Sequence, residues 1–235
     1  VLEEGSGLRS KKAEPLLRST DPNFRPVALQ FGPDGALYIV DWFNPLIGHM
    51  QFSLRDERRD HGHGRIWRIR YKDRPLVKRP TVAGAPIAEL LEMLKTYEDR
   101  TRYIVRRELA ERDRDEVAAA LERWTASLDK SNSHDEHRRL EALWVYQSLN
   151  LVRPDLLDEL FRANDHRVRA AATRVLRYQR DRVPRALELL AQQIHDEHPR
   201  VRLEAVVALS HFRTARAAEI ALEHHRIAEE AGRIR

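Results

Sequence analysis

The sequence predicts a mixed, mainly α fold, in which a short antiparallel β segment precedes an array of helix pairs. Three observations lead there. Phe31-Gly32-Pro33-Asp34-Gly35-Ala36-Leu37-Tyr38-Ile39-Val40-Asp41-Trp42, followed by Gly64-Arg65-Ile66-Trp67-Arg68-Ile69, reads as strand, tight turn, strand, long interruption, strand. From Ile87 onward, apolar residues recur with the period of helices buried on one face. Within that helical part the chain matches itself. The stretch from Asn164 to Ala172 resembles that from His195 to Ala205, with Val168-Arg169 and Val201-Arg202 offset by 33 positions. A helix pair repeated at about 30–40 residues is the pattern of a HEAT-type α-solenoid. The β pattern is that of a partial β-propeller blade.

Taken in order, Val1 to Glu4 reads as the end of a strand, Gly5 to Ala13 as a basic loop and Leu16 to Ser19 as a short strand. Thr20-Asp21-Pro22-Asn23 has turn chemistry. Pro26 to Phe31 sets Val27, Leu29 and Phe31 on one face, as a half-buried strand does. Gly32-Pro33-Asp34-Gly35 suits a hairpin loop, because Pro presets φ and Gly supplies a positive φ. Ala36 to Trp42 is the second strand, and Ile66, Trp67 and Ile69 mark the third. The segment from Phe43 to His63 is too long for a hairpin loop of about 2–5 residues. Its aromatic, apolar and His residues predict an ordered, functional insertion.

The predicted domains are 1–72, the end of a propeller; 73–86, a Pro-containing linker; and 87–235, the HEAT-like repeats. Pro86 stands where the first helix begins, a position that suits its fixed φ. Helical stripes follow: Ile87-Leu90-Leu91-Leu94, Tyr103-Val105-Leu109, Val117-Leu121-Trp124-Leu128 and Leu140-Leu143-Trp144-Leu149. They continue through Leu156-Leu157-Leu160-Phe161, Val168 to Leu176, Ala186 to Ile194, Val201 to Leu209, and Ile220 onward. An Asp ahead of the Val-Arg helix is placed to cap it. The Arg is placed to pair with an acid of the adjacent repeat.

Hydrophobic residues make up 42% and charged residues 34% of the chain, a soluble globular balance. No apolar run reaches the ~20 residues of a membrane-spanning helix, so no membrane segment is expected. The first residues carry no signal-peptide pattern. The absence of Cys excludes disulfides, thiolate metal sites, a Cys nucleophile and a Cys-x-x-Cys-His haem attachment within these residues. The net charge of +5 resides in residues 1–80, with 15 Lys and Arg against 10 Asp and Glu. Residues 81–235 hold 27 of each sign. A solenoid that binds nucleic acid concentrates basic charge to neutralise phosphates, so no nucleic-acid partner is expected.

One dense constellation could carry chemistry: Asp41, His49, Asp56, Asp60, His61, His63 and Arg65. Of these, Asp41, His49, Asp60, His61, His63 and Arg65 are the candidates for cofactor or substrate binding. His61 and His63 are two apart, so on an extended segment they share a side. With His49 or Asp41 they are candidate metal ligands, imidazole and carboxylate being suited to Zn, Cu, Fe and Ni in various mixtures. The alternative is a polar turn whose His side chains bond to backbone. No catalytic residue is assigned. His134, His137, His166, His195, His198, His211, His224 and His225 read as structural or solvated.

The segments Asn23-Phe24-Arg25-Pro26-Val27, Asp41-Trp42-Phe43-Asn44-Pro45-Leu46-Ile47-Gly48-His49 and Arg59-Asp60-His61-Gly62-His63-Gly64-Arg65-Ile66-Trp67 resemble one bacterial family. It is the planctomycete-type membrane-bound dehydrogenase family, in which a propeller like that of quinoprotein glucose and sorbosone dehydrogenases precedes HEAT repeats. A cytochrome c-like haem domain often follows them. The helical stretches Asp99-Arg100-Thr101-Arg102-Tyr103 and Glu141-Ala142-Leu143-Trp144-Val145-Tyr146-Gln147 are also similar to that family.

The resemblance implies an extracytoplasmic (periplasmic or cell-surface) parent that oxidises a sugar or alcohol. It implies PQQ and Ca²⁺ in the full-length parent and haem in a domain outside this chain. The implied partners are other propeller blades, the cytochrome c domain, and a protein on the HEAT concave face. Alone, the chain is expected to be inactive. The rival expectation is a non-catalytic propeller–HEAT module that binds carbohydrate or protein. The loop from Asn44 to His63 discriminates: folded over a cavity it favours the enzyme, and on the rim it favours the module.

Overall fold

The computed structural model describes residues 2–46, 55–129 and 132–223. His49, His224 and His225 lie outside them. In chain order the strands are β1 (Leu2–Glu4), β2 (Gly7–Arg9), β3 (Pro26–Phe31), β4 (Leu37–Asp41) and β5 (Arg65–Ile69). The helices are α1 (Ile87–Met93), α2 (Asp99–Ala110), α3 (Arg114–Ala126), α4 (Ser133–Ser148), α5 (Pro154–Leu160), α6 (His166–Gln179), α7 (Ala186–Gln193) and α8 (Pro199–Leu209). A further helical stretch runs from 215 to 223. The helices fall on the predicted stripes. The chain divides into two compact units, one of residues 12–85 and 96–104, the other of 1–11, 86–95 and 105–235.

The first unit is built on an antiparallel sheet in the order β3-β4-β5. Register pairs Leu29 with Ile39 and Ile39 with Trp67, and likewise Phe31 with Leu37 and Leu37 with Ile69. These residues therefore share one face. The turn between β3 and β4 is the Gly32–Gly35 loop predicted from the sequence. Gly35 takes φ 76°. Gly32 is fixed by close approach, because a Cβ there would sit 2.5 Å from the Tyr38 ring.

Two expectations fail here. Leu16 to Ser19 forms no strand; the nearby Arg18 side chain bonds Glu14 instead. β3 forms as expected, but all six residues are exposed. Val27, Leu29 and Phe31 are 60%, 70% and 62% exposed. The physical reason is that β3 is an edge strand and, among the described residues, nothing in this unit covers its apolar side chains.

The second unit holds the helices and the β1–β2 hairpin. Gly5 turns that hairpin at φ 59°, so residues 7–9, read from sequence as loop, return as a strand against β1. The helical core is leucine-rich: Leu90, Leu109, Leu121, Leu143, Leu157 and Leu176 are each fully buried. Burial of such a side chain contributes about 1.5–3 kcal/mol, so stability in this unit comes from the stripe rather than from local helix propensity.

The repeat is exact in its caps. Asn132, Asp165 and His198 precede α4, α6 and α8 at intervals of 33 residues, and each side chain accepts a backbone N–H of the helix it opens. Four positions past each cap stand Glu136, Arg169 and Arg202. Glu136 accepts the Asn164 and Asp165 backbone N–H groups at 2.8 and 3.2 Å. Arg169 donates to the Ala163 and Asn164 carbonyls at 2.8 and 3.0 Å. It also reaches forward to Asp196 at 2.7 and 2.9 Å and to Glu197 at 3.1 Å. Arg202 donates to the Asp196 and Glu197 carbonyls at 2.8 and 2.9 Å. Each inter-helix loop is thus clasped from the repeat before it and from the helix after it. The expected Asp cap and the expected Arg bridge are both present.

Candidate functional site

The sequence cluster resolves into two separate local structures. The first centres on Asp41, which ends β4 and is 1% exposed. Its Oδ1 accepts the backbone N–H groups of Arg25 at 2.8 Å and Phe43 at 3.0 Å. Its Oδ2 accepts Arg65 Nε and Trp67 Nε1, both at 2.9 Å. A carboxylate has about four acceptor sites, and Asp41 uses them all. Burial pushes its carboxyl up, but the bonds from Arg25 N–H, Trp67, Phe43 N–H and Arg65 outweigh that and hold it at about 2.

Arg65 also donates to Asp21. Its guanidinium lies 4.3 Å from the Phe43 ring centre and 5.0 Å from that of Trp67. This is a packed cation–π arrangement. Trp67 meets Phe24 edge-to-face at 6.2 Å. Asp41 and Arg65 therefore tie the β3–β4–β5 sheet to the Asp21–Arg25 turn.

The second structure is the turn ahead of β5. Asp60 Oδ1 accepts the N–H groups of Gly62 at 2.8 Å and His63 at 3.1 Å, and His63 Nδ1 lies 2.8 Å from Asp60 Oδ2. The Gly62 N–H, then the His63 ring, hold the Asp60 carboxyl below its usual range. His61 and His63 are exposed. Asp56 ties back to Arg58 at 2.8 Å, and that bond holds its carboxyl at about 2.

The acid response of the sheet follows from Asp41. Its folded pKa lies below the ~3.9 of an unfolded chain, so its contribution is full above about pH 4 and is lost as pH falls toward 2. The expected loss is about 2 kcal/mol. Amide exchange of β4 and β5 measured from pH 5 to 2 should quicken in the wild type relative to Asp41→Asn. Parallel pH profiles for the two proteins would refute this. The comparison is needed because Asp21 and Asp34, in the same unit, are also lowered.

Sequence reasoning missed a third grouping, in the helical unit. Among the described residues, one set of three potential ligands converges: Glu3, His166 and His198, with ligand atoms within 4.8 Å of one another. The His166 and His198 rings stack at 3.5 Å, with planes 15° apart. Glu3 Oε2 lies 3.3 Å from His166 Nε2. The only signal in the sequence was the repeat itself, which puts His198 at the cap position that Asp165 holds one unit earlier.

Comparison with known proteins now adds two matches. Residues 153–234 match the family model described as HEAT repeats. Residues 1–73 match a domain of unknown function (DUF7133). No curated protein and no solved structure matches the chain. The helical part from α5 onward is a HEAT array, a framework commonly used to bind proteins. No described helix is long and apolar enough to cross a membrane.

Proposed function

We propose that the chain is a docking scaffold. Its HEAT repeats offer a protein partner a surface, and its β unit is a blade-like piece of a larger, extracytoplasmic β-assembly. The observation that carries this reading is the repeat array, whose buried clasps at Glu136 and Arg169 fix each unit on the next. A stiff array holds a broad surface in shape without ordering it on binding. Tyr178 and Leu203, on α6 and α8, are exposed large apolar residues available for contact.

The finer reading, a sugar or alcohol dehydrogenase parent with PQQ, Ca²⁺ and a haem domain, rests on the family resemblance. Two of its candidate residues, Asp41 and Arg65, are already engaged within the sheet. Asp41 has no acceptor left for Ca²⁺, and Arg65 is committed to two carboxylates and two rings.

The test uses the full-length protein in its own cells, with a photo-crosslinking residue at Tyr178 or Leu203. The expected result is one recurrent protein adduct from both positions, absent when the probe replaces buried Leu176. In parallel, purified protein is assayed for dye-linked oxidation of sugars with PQQ and Ca²⁺. No adduct, together with cofactor-dependent turnover lost in His61→Ala/His63→Ala, would replace the scaffold with the enzyme.

A further inference from the structure

Three elements far apart in sequence meet at one point of the helical unit. His166 is the first residue of α6, His198 caps α8, and Glu3 lies on β1. His166 Nε2 is buried and makes no hydrogen bond. It faces Glu3 Oε2 at 3.3 Å, beyond the usual N–H···O range of about 2.7–3.2 Å. That spacing has another meaning. Two ligand atoms on one tetrahedral Zn²⁺, each about 2.0–2.1 Å from it, stand about 3.3 Å apart.

We propose that Glu3, His166 and His198 form a binding site for one divalent transition-metal ion, with Zn²⁺ the best match. Two imidazoles and a carboxylate are a borderline-soft set that suits Zn²⁺, and they leave the fourth position open to water. The surrounding charge permits a cation. Arg167, Arg174 and Arg200 line the adjoining cleft of about 270 Å³. Arg167 is held by Asp165, and Arg174 and Arg200 are held by Glu204.

Loading asks one thing of the fold. His198 Nδ1 accepts the Arg200 N–H at 3.2 Å, longer than the cap bonds of Asp165 at 2.8 Å and Asn132 at 2.9 Å. To ligate through Nδ1 the ring would have to give up this bond, and in either case it would have to turn out of its stack with His166. The bound ion would then staple the β1–β2 hairpin to two successive repeats. The hairpin already meets these repeats through the Glu3–His166 approach and the Arg200 bond to the Ser6 carbonyl at 3.2 Å.

The test is calorimetric titration of ZnCl₂ into the chelator-stripped full chain, with thermal unfolding alongside. The variants are His166→Gln, Glu3→Gln and His198→Asn. Asn is among the best N-cap residues, so His198→Asn removes the imidazole and keeps the helix start. The wild type should bind about one Zn²⁺ per chain at micromolar or lower concentration and melt higher with zinc. His166→Gln and His198→Asn should each weaken binding at least about tenfold and lose the zinc-dependent melting shift. Glu3→Gln should weaken it less, since two imidazoles remain. No uptake by the wild type at 100-fold lower affinity than this, or equal uptake by all three variants, would overturn the site. The second result would assign the zinc to other histidines.

Discussion

Asp41→Ala should destabilise the three-stranded sheet by about 3–5 kcal/mol. The substitution removes one acceptor group and strands four donors: the Arg25 and Phe43 N–H groups, Trp67 Nε1 and the Arg65 guanidinium. A buried donor without a partner costs about 1–3 kcal/mol, and the effects overlap because they share one carboxylate. Asp41→Asn should cost less, since the amide oxygen still accepts two of the four. The readout is hydrogen exchange across β3, β4 and β5. These amides should lose protection in Asp41→Ala while α6 and α8 keep theirs, because the sheet and these helices belong to different compact units. Uniform loss across both units, or a change under about 1 kcal/mol, would show that Asp41 is not the tie point.

The same residue shows what the sequence could and could not convey. Asp41 stood out because it closes a strand of β-forming residues beside a His- and Arg-rich insertion. That composition suggested a ligand. Its real partners include two backbone N–H groups and an indole, and no residue pattern encodes where a backbone N–H points. The strand register sets it, including the bulge between Pro26 and Ala28. The helices were legible for the opposite reason: a one-sided apolar stripe states both the element and its buried face. β3 was legible as a strand and misread as half-buried, because alternation reports which face is apolar and is silent on whether anything lies against it. His166 and His198 looked like solvated residues near helix starts. Their meeting depends on how one repeat stacks on the next, which the 33-residue offset hints at and does not define.

Arg169→Ala is the second large effect, expected at about 3–5 kcal/mol in the helical unit. Arg169 and Arg202 hold the same position in successive repeats, and their difference is the test. Both donate to the carbonyls of the loop before their own helix. Arg169 is buried and also reaches Asp196 and Glu197 in the next repeat. Removing it leaves the Asp196 carboxylate, itself only 9% exposed, without its cation. Arg202→Ala loses only the carbonyl bonds and should cost about 0.5–1.5 kcal/mol. A double-mutant cycle on Arg169 and Asp196 should give a coupling of at least about 1 kcal/mol. The exchange pattern should be local: the 194–197 loop and α8 open first, α6 next, and α3 stays protected, as nearest-neighbour coupling between repeats requires. Equal costs for Arg169→Ala and Arg202→Ala would mean that the forward reach to the acids adds nothing. The repeats would then be held by their leucine stripes alone.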